Sequence, residues 1–231
     1  MQKQSPRRNT CRVAPALGAT PYLPPMQAVD IALCLAVDVS ASVSFDEFGL
    51  MMGGLAAAFR EPDIAAATAA GPRGAVAVAL LFWSGVREQA VALDWARLDG
   101  VTACGAFAAA LDGTPRLFGG GVTALGQGMA AGLGLLARVP AEATRLVLDV
   151  SGDGANNRGP APGPVRDVGV AAGVTINGLA VLNEEPGLVA YYAAEVIGRL
   201  GSFVMECGDY GGFAEAMRHK LWRELRGGLV A

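Results

Sequence analysis

The sequence predicts an α/β fold built on a mostly parallel sheet. Three observations predict it: apolar runs of strand length, amphipathic helical repeats between them, and polar residues at the ends of several runs. Composition agrees. The 231 residues are 52% hydrophobic and 17% charged, with 32 glycines, which suits a sheet covered by closely packed, small-residue helices. That length is enough for one α/β domain with a full core.

The first strand is the continuous apolar run Ile31 to Val37, which stops abruptly at Asp38-Val39-Ser40-Ala41-Ser42. A strand covered on both faces reads this way. Ser44-Phe45-Asp46-Glu47 is a capping box, and Phe45, Phe48, Met52, Leu55 and Phe59 recur at helical spacing as far as Pro62. A second apolar run, Ala75 to Trp83, meets Ser84-Gly85 and then the more polar Glu88 to Trp95. This predicts a hairpin whose second strand lies at a sheet edge.

A short helix follows over Val101 to Leu111. After Gly119-Gly120-Gly121-Val122-Thr123, Leu125, Met129, Leu133 and Leu136 mark another. The remainder alternates: strand 145–150, loop 151–164, helix to about Ala172, strand 174–181, helix 186–199, strand 202–207 and helix 211–225. Alternation of this kind implies right-handed crossovers and gathers the polar strand ends along one edge. The chain divides into a basic, proline-broken tail over 1–28, one domain over 29–226 and a short tail over 227–231.

The net charge of -3 gives no reason to expect nucleic acid, whose phosphate footprint needs clustered Lys and Arg. No apolar run is long enough to predict a transmembrane helix. Lys3, Arg7, Arg8 and Arg12 suggest an export signal, but Pro15 and Pro21 break the apolar stretch, and Asn9, Thr10 and Cys11 follow the arginine pair. The tail alone therefore leaves both the cell envelope and the cytoplasm open. Cys11, Cys34, Cys104 and Cys207 lie far apart and read as structural or incidental thiols. The single histidine, His219, sits beside Arg218 and Lys220 and reads as a solvated helix residue; no Gly-x-Ser-x-Gly elbow accompanies it. The glycines near Thr123 lack a Gly-Lys-Ser/Thr ending, so they read as a tight turn and close helix packing rather than a phosphate cradle.

Three polar clusters fall at the predicted carboxyl ends of the sheet: Asp38-x-Ser40-x-Ser42, Thr123, and Asp153 within Ser151-Gly152-Asp153-Gly154. Two carboxylates and three hydroxyls make an oxygen-only set, which suits Mg²⁺, Mn²⁺ or Ca²⁺ and disfavours zinc. The bland alternative is a strand end turning into a helix, where Asp and Ser cap backbone N–H groups.

These residues resemble, in order, the three parts of the metal-ion-dependent adhesion site of von Willebrand factor type A (VWA) domains. The resemblance spans Val29 to Leu225. It implies a doubly wound six-stranded sheet with one antiparallel edge strand and helices on both faces. It also implies Ser40, Ser42 and Thr123 as direct ligands, with Asp38 and Asp153 acting through water. In the family glycine commonly follows the threonine directly; here Ala124-Leu125 intervene before Gly126, so the role of Thr123 stays open between direct and water-mediated. The stretches Asp149-Val150-Ser151-Gly152-Asp153-Gly154-x-Asn156-Asn157 and Gly208-Asp209-Tyr210-Gly211-Gly212-Phe213 look like a bacterial subfamily of uncharacterised function whose members usually carry export signals.

The expected function is a divalent-cation-dependent binding module, in which the metal accepts a carboxylate from a protein partner. Two alternatives remain. One is a metal-dependent phosphohydrolase or phosphotransferase using Asp38 as nucleophile, and the other is a structural subunit with an incidental metal.

Overall fold

The computed structural model describes residues 26–118, 121–183 and 185–227. Most of the expected N-terminal tail and its export reading lie outside the described residues, as do Cys11, Gly119, Gly120 and the last four residues.

Six strands form one sheet: β1 (Val29–Asp38), β2 (Val76–Trp83), β3 (Gln89–Leu98), β4 (Ala143–Gly152), β5 (Val174–Val181) and β6 (Val204–Cys207). Their order is β3-β2-β1-β4-β5-β6. All pairs are parallel except β2 with β3, so the expected antiparallel edge is β3. Strand order reverses beside β1, between the β1-β2-β3 half and the β4-β5-β6 half, which opens a crevice past the carboxyl ends of β1 and β4.

The helices are α1 (Phe45–Arg60), α2 (Pro62–Thr68), α3 (Val101–Asp112), α4 (Leu125–Leu136), α5 (Pro162–Ala171), α6 (Leu188–Tyr191, continued by a π-helical turn to Val196) and α7 (Phe213–Arg226). On one face, Ile31, Leu33, Leu35 and Val37 pack large side chains against α1, α2, α3 and α7. The other face carries Ala32, Cys34 and Ala36 under α4 and α6. Close approach on that face depends on glycine. A Cβ at Gly128 would lie 2.5 Å from the Trp83 ring, and one at Gly132 would lie 2.5 Å from Leu148.

The elements depart from the sequence reading at definite points. The apolar stripe of α1 begins at Phe48, because Phe45 is 76% exposed and lies beneath the Arg116 guanidinium at 5.3 Å. Pro62 ends α1 but also starts α2, since a proline at the first helical position gives up no hydrogen bond. The helix expected over 186–199 closes at Val196. It is followed by Arg199, whose φ of 80° is the one positive value on a non-glycine residue among the described residues. His219 is exposed as expected, whereas its neighbour Lys220 is fully buried. No helix among the described residues is long and apolar enough to cross a membrane.

Candidate functional site

The crevice beyond β1 and β4 collects the residues singled out in the sequence. Asp38 ends β1, and its carboxylate accepts a hydrogen bond from the Ser40 backbone N–H at 2.8 Å, an Asx-type turn that points the loop across the crevice. The Ser40 and Ser42 hydroxyls stand 3.2 Å apart, and Ser42 donates to Asp153 Oδ1 at 2.7 Å. Both serines, Asp38 and Asp153 therefore form one contiguous oxygen cluster drawn from two loops. Thr123 belongs to a third: its hydroxyl lies 3.7 Å from where a Cβ on Gly154 would stand.

Backbone bonds hold these loops in place. Thr123 and Asn157 bond reciprocally, with the Thr123 N–H donating to Asn157 Oδ1 at 3.0 Å and the Asn157 N–H donating to the Thr123 carbonyl at 2.9 Å. Asn156 Oδ1 accepts from the Gly126 N–H at 3.1 Å, and Glu185 accepts from the Ala155 N–H at 2.7 Å. The two asparagines thus brace the loops rather than merely turn the chain. Arg116 donates to the carbonyls of Val39 and Ser40 at 3.0 and 2.9 Å, fixing the first loop from the α3 side. The sequence carried no local signal for Arg116, which lies far from Asp38 along the chain.

The electrostatics are unusual. Asp38 is 0% exposed and, among the described residues, makes no ion pair; its Oδ2 has no hydrogen-bond partner. Burial pushes its pKa up to about 8, reinforced by the charge of Asp153 and opposed by the Ser40 hydrogen bonds and by Arg116. Gly152 leaves the necessary room: a Cβ there would stand 3.1 Å from Asp38 Oδ2 and 2.9 Å from the Tyr192 hydroxyl. Tyr192 and Tyr210 approach from α6 and from the turn before α7, and burial together with the Asp38 and Asp153 charges raises both phenols. Neither tyrosine was singled out as a site residue, because their approach depends on the tertiary fold.

Among the described residues no three His, Cys, Asp or Glu side chains gather as a metal cage. The cluster is instead two carboxylates completed by hydroxyls, a donor set for a hard cation. The buried Asp38 Oδ2, without a hydrogen-bond partner among the described residues, fits such an ion.

Comparison with solved structures identifies the class of the fold. The proximal thread matrix protein 1 of the mussel byssus aligns at 18% identity with a TM-score of 0.58, over 86% of this chain and 46% of that one. A von Willebrand factor type A protein from Catenulispora acidiphila aligns at 17% identity and 0.58, over 86% and 43%. The PilB minor pilin from Streptococcus sanguinis aligns at 13% and 0.60, over 86% and 62%. The chain thus spans less than half the length of the first two. A further structure of the mussel protein carries zinc in its MIDAS motif, the metal-ion-dependent adhesion site. The chain has a VWA-like α/β fold. More narrowly, it belongs to the DUF1194 family, described as proteins of unknown function, whose profile matches residues 28–229. A comparison with curated proteins finds no sequence match.

Proposed function

We propose that this protein is a divalent-cation-dependent binding module. In this reading Ser40, Ser42 and Thr123 contribute hydroxyls to the cation, while Asp38 and Asp153 supply the negative charge that holds it. When bound, the ion offers an electrophilic position that takes a carboxylate from an acidic side chain of a protein partner. The observation that carries the reading is the buried Asp38 carboxylate, with one oxygen unbonded inside a cluster of hydroxyls. Burying an ionised carboxylate without a partner is costly, and a divalent cation removes that cost.

Mg²⁺ or Mn²⁺ suits the all-oxygen donor set, and the zinc-bearing MIDAS of the mussel protein supports a divalent ion at this position. An envelope or extracellular location is part of the proposal, in keeping with the pilin among the structural neighbours.

Binding is favoured over phosphoryl transfer by the placement of lysine. The chain has two, Lys3 and Lys220, and Lys220 is buried in ion pairs with Asp149 and Glu224 instead of facing Asp38. Position 40, where a second acidic residue would assist an aspartyl nucleophile, is a serine.

Thermal unfolding with EDTA and with added Mg²⁺ or Mn²⁺ tests the proposal. Saturating metal stabilises the wild type, by about 2.7 kcal/mol at 100 times Kd, and Asp38→Ala abolishes the effect. Identical melting with and without metal would sink it.

A further inference from the structure

The opposite edge of the sheet holds a second charged constellation. At the amino ends of β4 and β5 a recess of about 380 Å³ is lined by Arg145, Thr175, Arg199, Phe203, Arg223 and Glu224. Arg145 stands near the start of β4 and Asp153 just past its end, so at about 3.3 Å per residue the recess lies roughly 25 Å from the Asp38 cluster.

Three arginines from three different elements converge there, and among the described residues none has a carboxylate oxygen within 4 Å. Each is held by something that leaves donors free. Arg145 donates to the Glu224 backbone carbonyl at 3.2 Å, Arg199 donates to the Gly173 carbonyl at 2.6 Å, and the Arg223 guanidinium stacks 3.9 Å over the Phe203 ring. A guanidinium has five N–H donors, so most of this capacity remains unspent.

The arrangement is also strained. Arg145 is half-buried; desolvation lowers its pKa, Glu224 opposes that, and the charge of Arg199 pushes it down further. Arg199 reaches its position through a φ of 80°, a conformation that side-chain-bearing residues seldom adopt and that tends to mark functional sites.

The acidic group in the wall does not cancel these charges. Glu224 shares the Lys220 ammonium with Asp149, at 2.7 and 2.6 Å, and also accepts from Asn177 Nδ2 at 2.9 Å. With both carboxylates ionised that buried triad carries a net charge of one minus, against three guanidinium charges. The recess therefore has an excess of two positive charges.

We infer that this recess is a binding site for a small dianion bearing oxygen acceptors, either a phosphate monoester or a dicarboxylate, gripped by Arg145, Arg199 and Arg223 and by the Thr175 hydroxyl. Guanidinium forks match both kinds of oxyanion, and two charges on the ligand balance the excess. The site is independent of the proposed cation site, so its test is run in EDTA.

The experiment is thermal unfolding of the full chain titrated with inorganic phosphate, and separately with succinate, each against sodium chloride at matched ionic strength. Wild type shows saturable stabilisation by one or both anions, and the stronger of the two assigns the headgroup. Arg199→Gly keeps the turn, because glycine adopts positive φ freely, and weakens binding roughly tenfold or more. Arg145→Gln weakens it comparably. Neither anion stabilising the wild type beyond sodium chloride overturns the inference, as does undiminished affinity in Arg199→Gly.

Discussion

Asp149 and Asp38 sit on the adjacent strands β4 and β1, both essentially excluded from solvent, yet the fold treats them in opposite ways. Alternation along the strands places Asp149 on the face covered by α7, where Lys220 meets it at 2.6 Å. Burial and the Glu224 charge push Asp149 up to about 7, while Lys220, although burial works against it, is held above its ordinary range by the two carboxylates. Asp38 ends β1 beside Trp83 and Gly152 and, among the described residues, makes no ion pair. A buried charge that the chain compensates from within is part of the architecture. One that it leaves uncompensated is where the proposed cation would supply the compensation.

The largest expected effect comes from breaking the compensated side. Lys220→Met strands Asp149 and Glu224 without their shared ammonium and lowers stability by about 3–5 kcal/mol in denaturant unfolding, with or without metal. The uncompensated side responds in the other direction. In EDTA near neutral pH, Asp38→Asn raises stability by about 1–3 kcal/mol, because it removes the cost of holding the buried Asp38 carboxyl protonated well above its ordinary range while keeping an acceptor for the Ser40 N–H. A loss of stability in that variant would contradict the contrast drawn between the two aspartates.

The remaining effect is a slope. Folding raises the Asp38 pKa from 3.8 to about 8, so between those values the folded chain binds more protons than the unfolded one. The Asp38 contribution therefore makes stability in EDTA fall as pH rises through that window, and Asp38→Asn flattens the fall. On the proposed reading saturating Mg²⁺ opposes it, since a cation held at this site favours the ionised carboxylate. Melting temperatures from pH 4 to 8 with EDTA and with Mg²⁺ measure both.

The sheet was legible because buried parallel strands are written as unbroken apolar runs; Ile31 to Val37 needed only two residues added before it and Asp38 after it to become β1. The oxygen cluster was legible as polar residues at strand ends, which parallel topology must bring to one edge. What stayed hidden depends on contacts between distant segments. Lys220 looks like one more charge in the Arg218-His219-Lys220 run, and nothing local says that it turns inward to a carboxylate on β4. Arg116 and Tyr192 reach the Asp38 crevice only once α3 and α6 are docked. Phe45 fits the helical period of α1 but lies in its first turn, beyond the edge of the sheet, so the period there has no core to face.

Trp83 offers a practical consequence. The register sets it directly across from Asp38, and its ring is sealed against Gly128 on the helix that Thr123 precedes. A buried indole beside Asp38 and against the helix that follows Thr123 is an intrinsic fluorophore: cation titrations need no attached dye, because the polypeptide already carries its own optical reporter next to the proposed site.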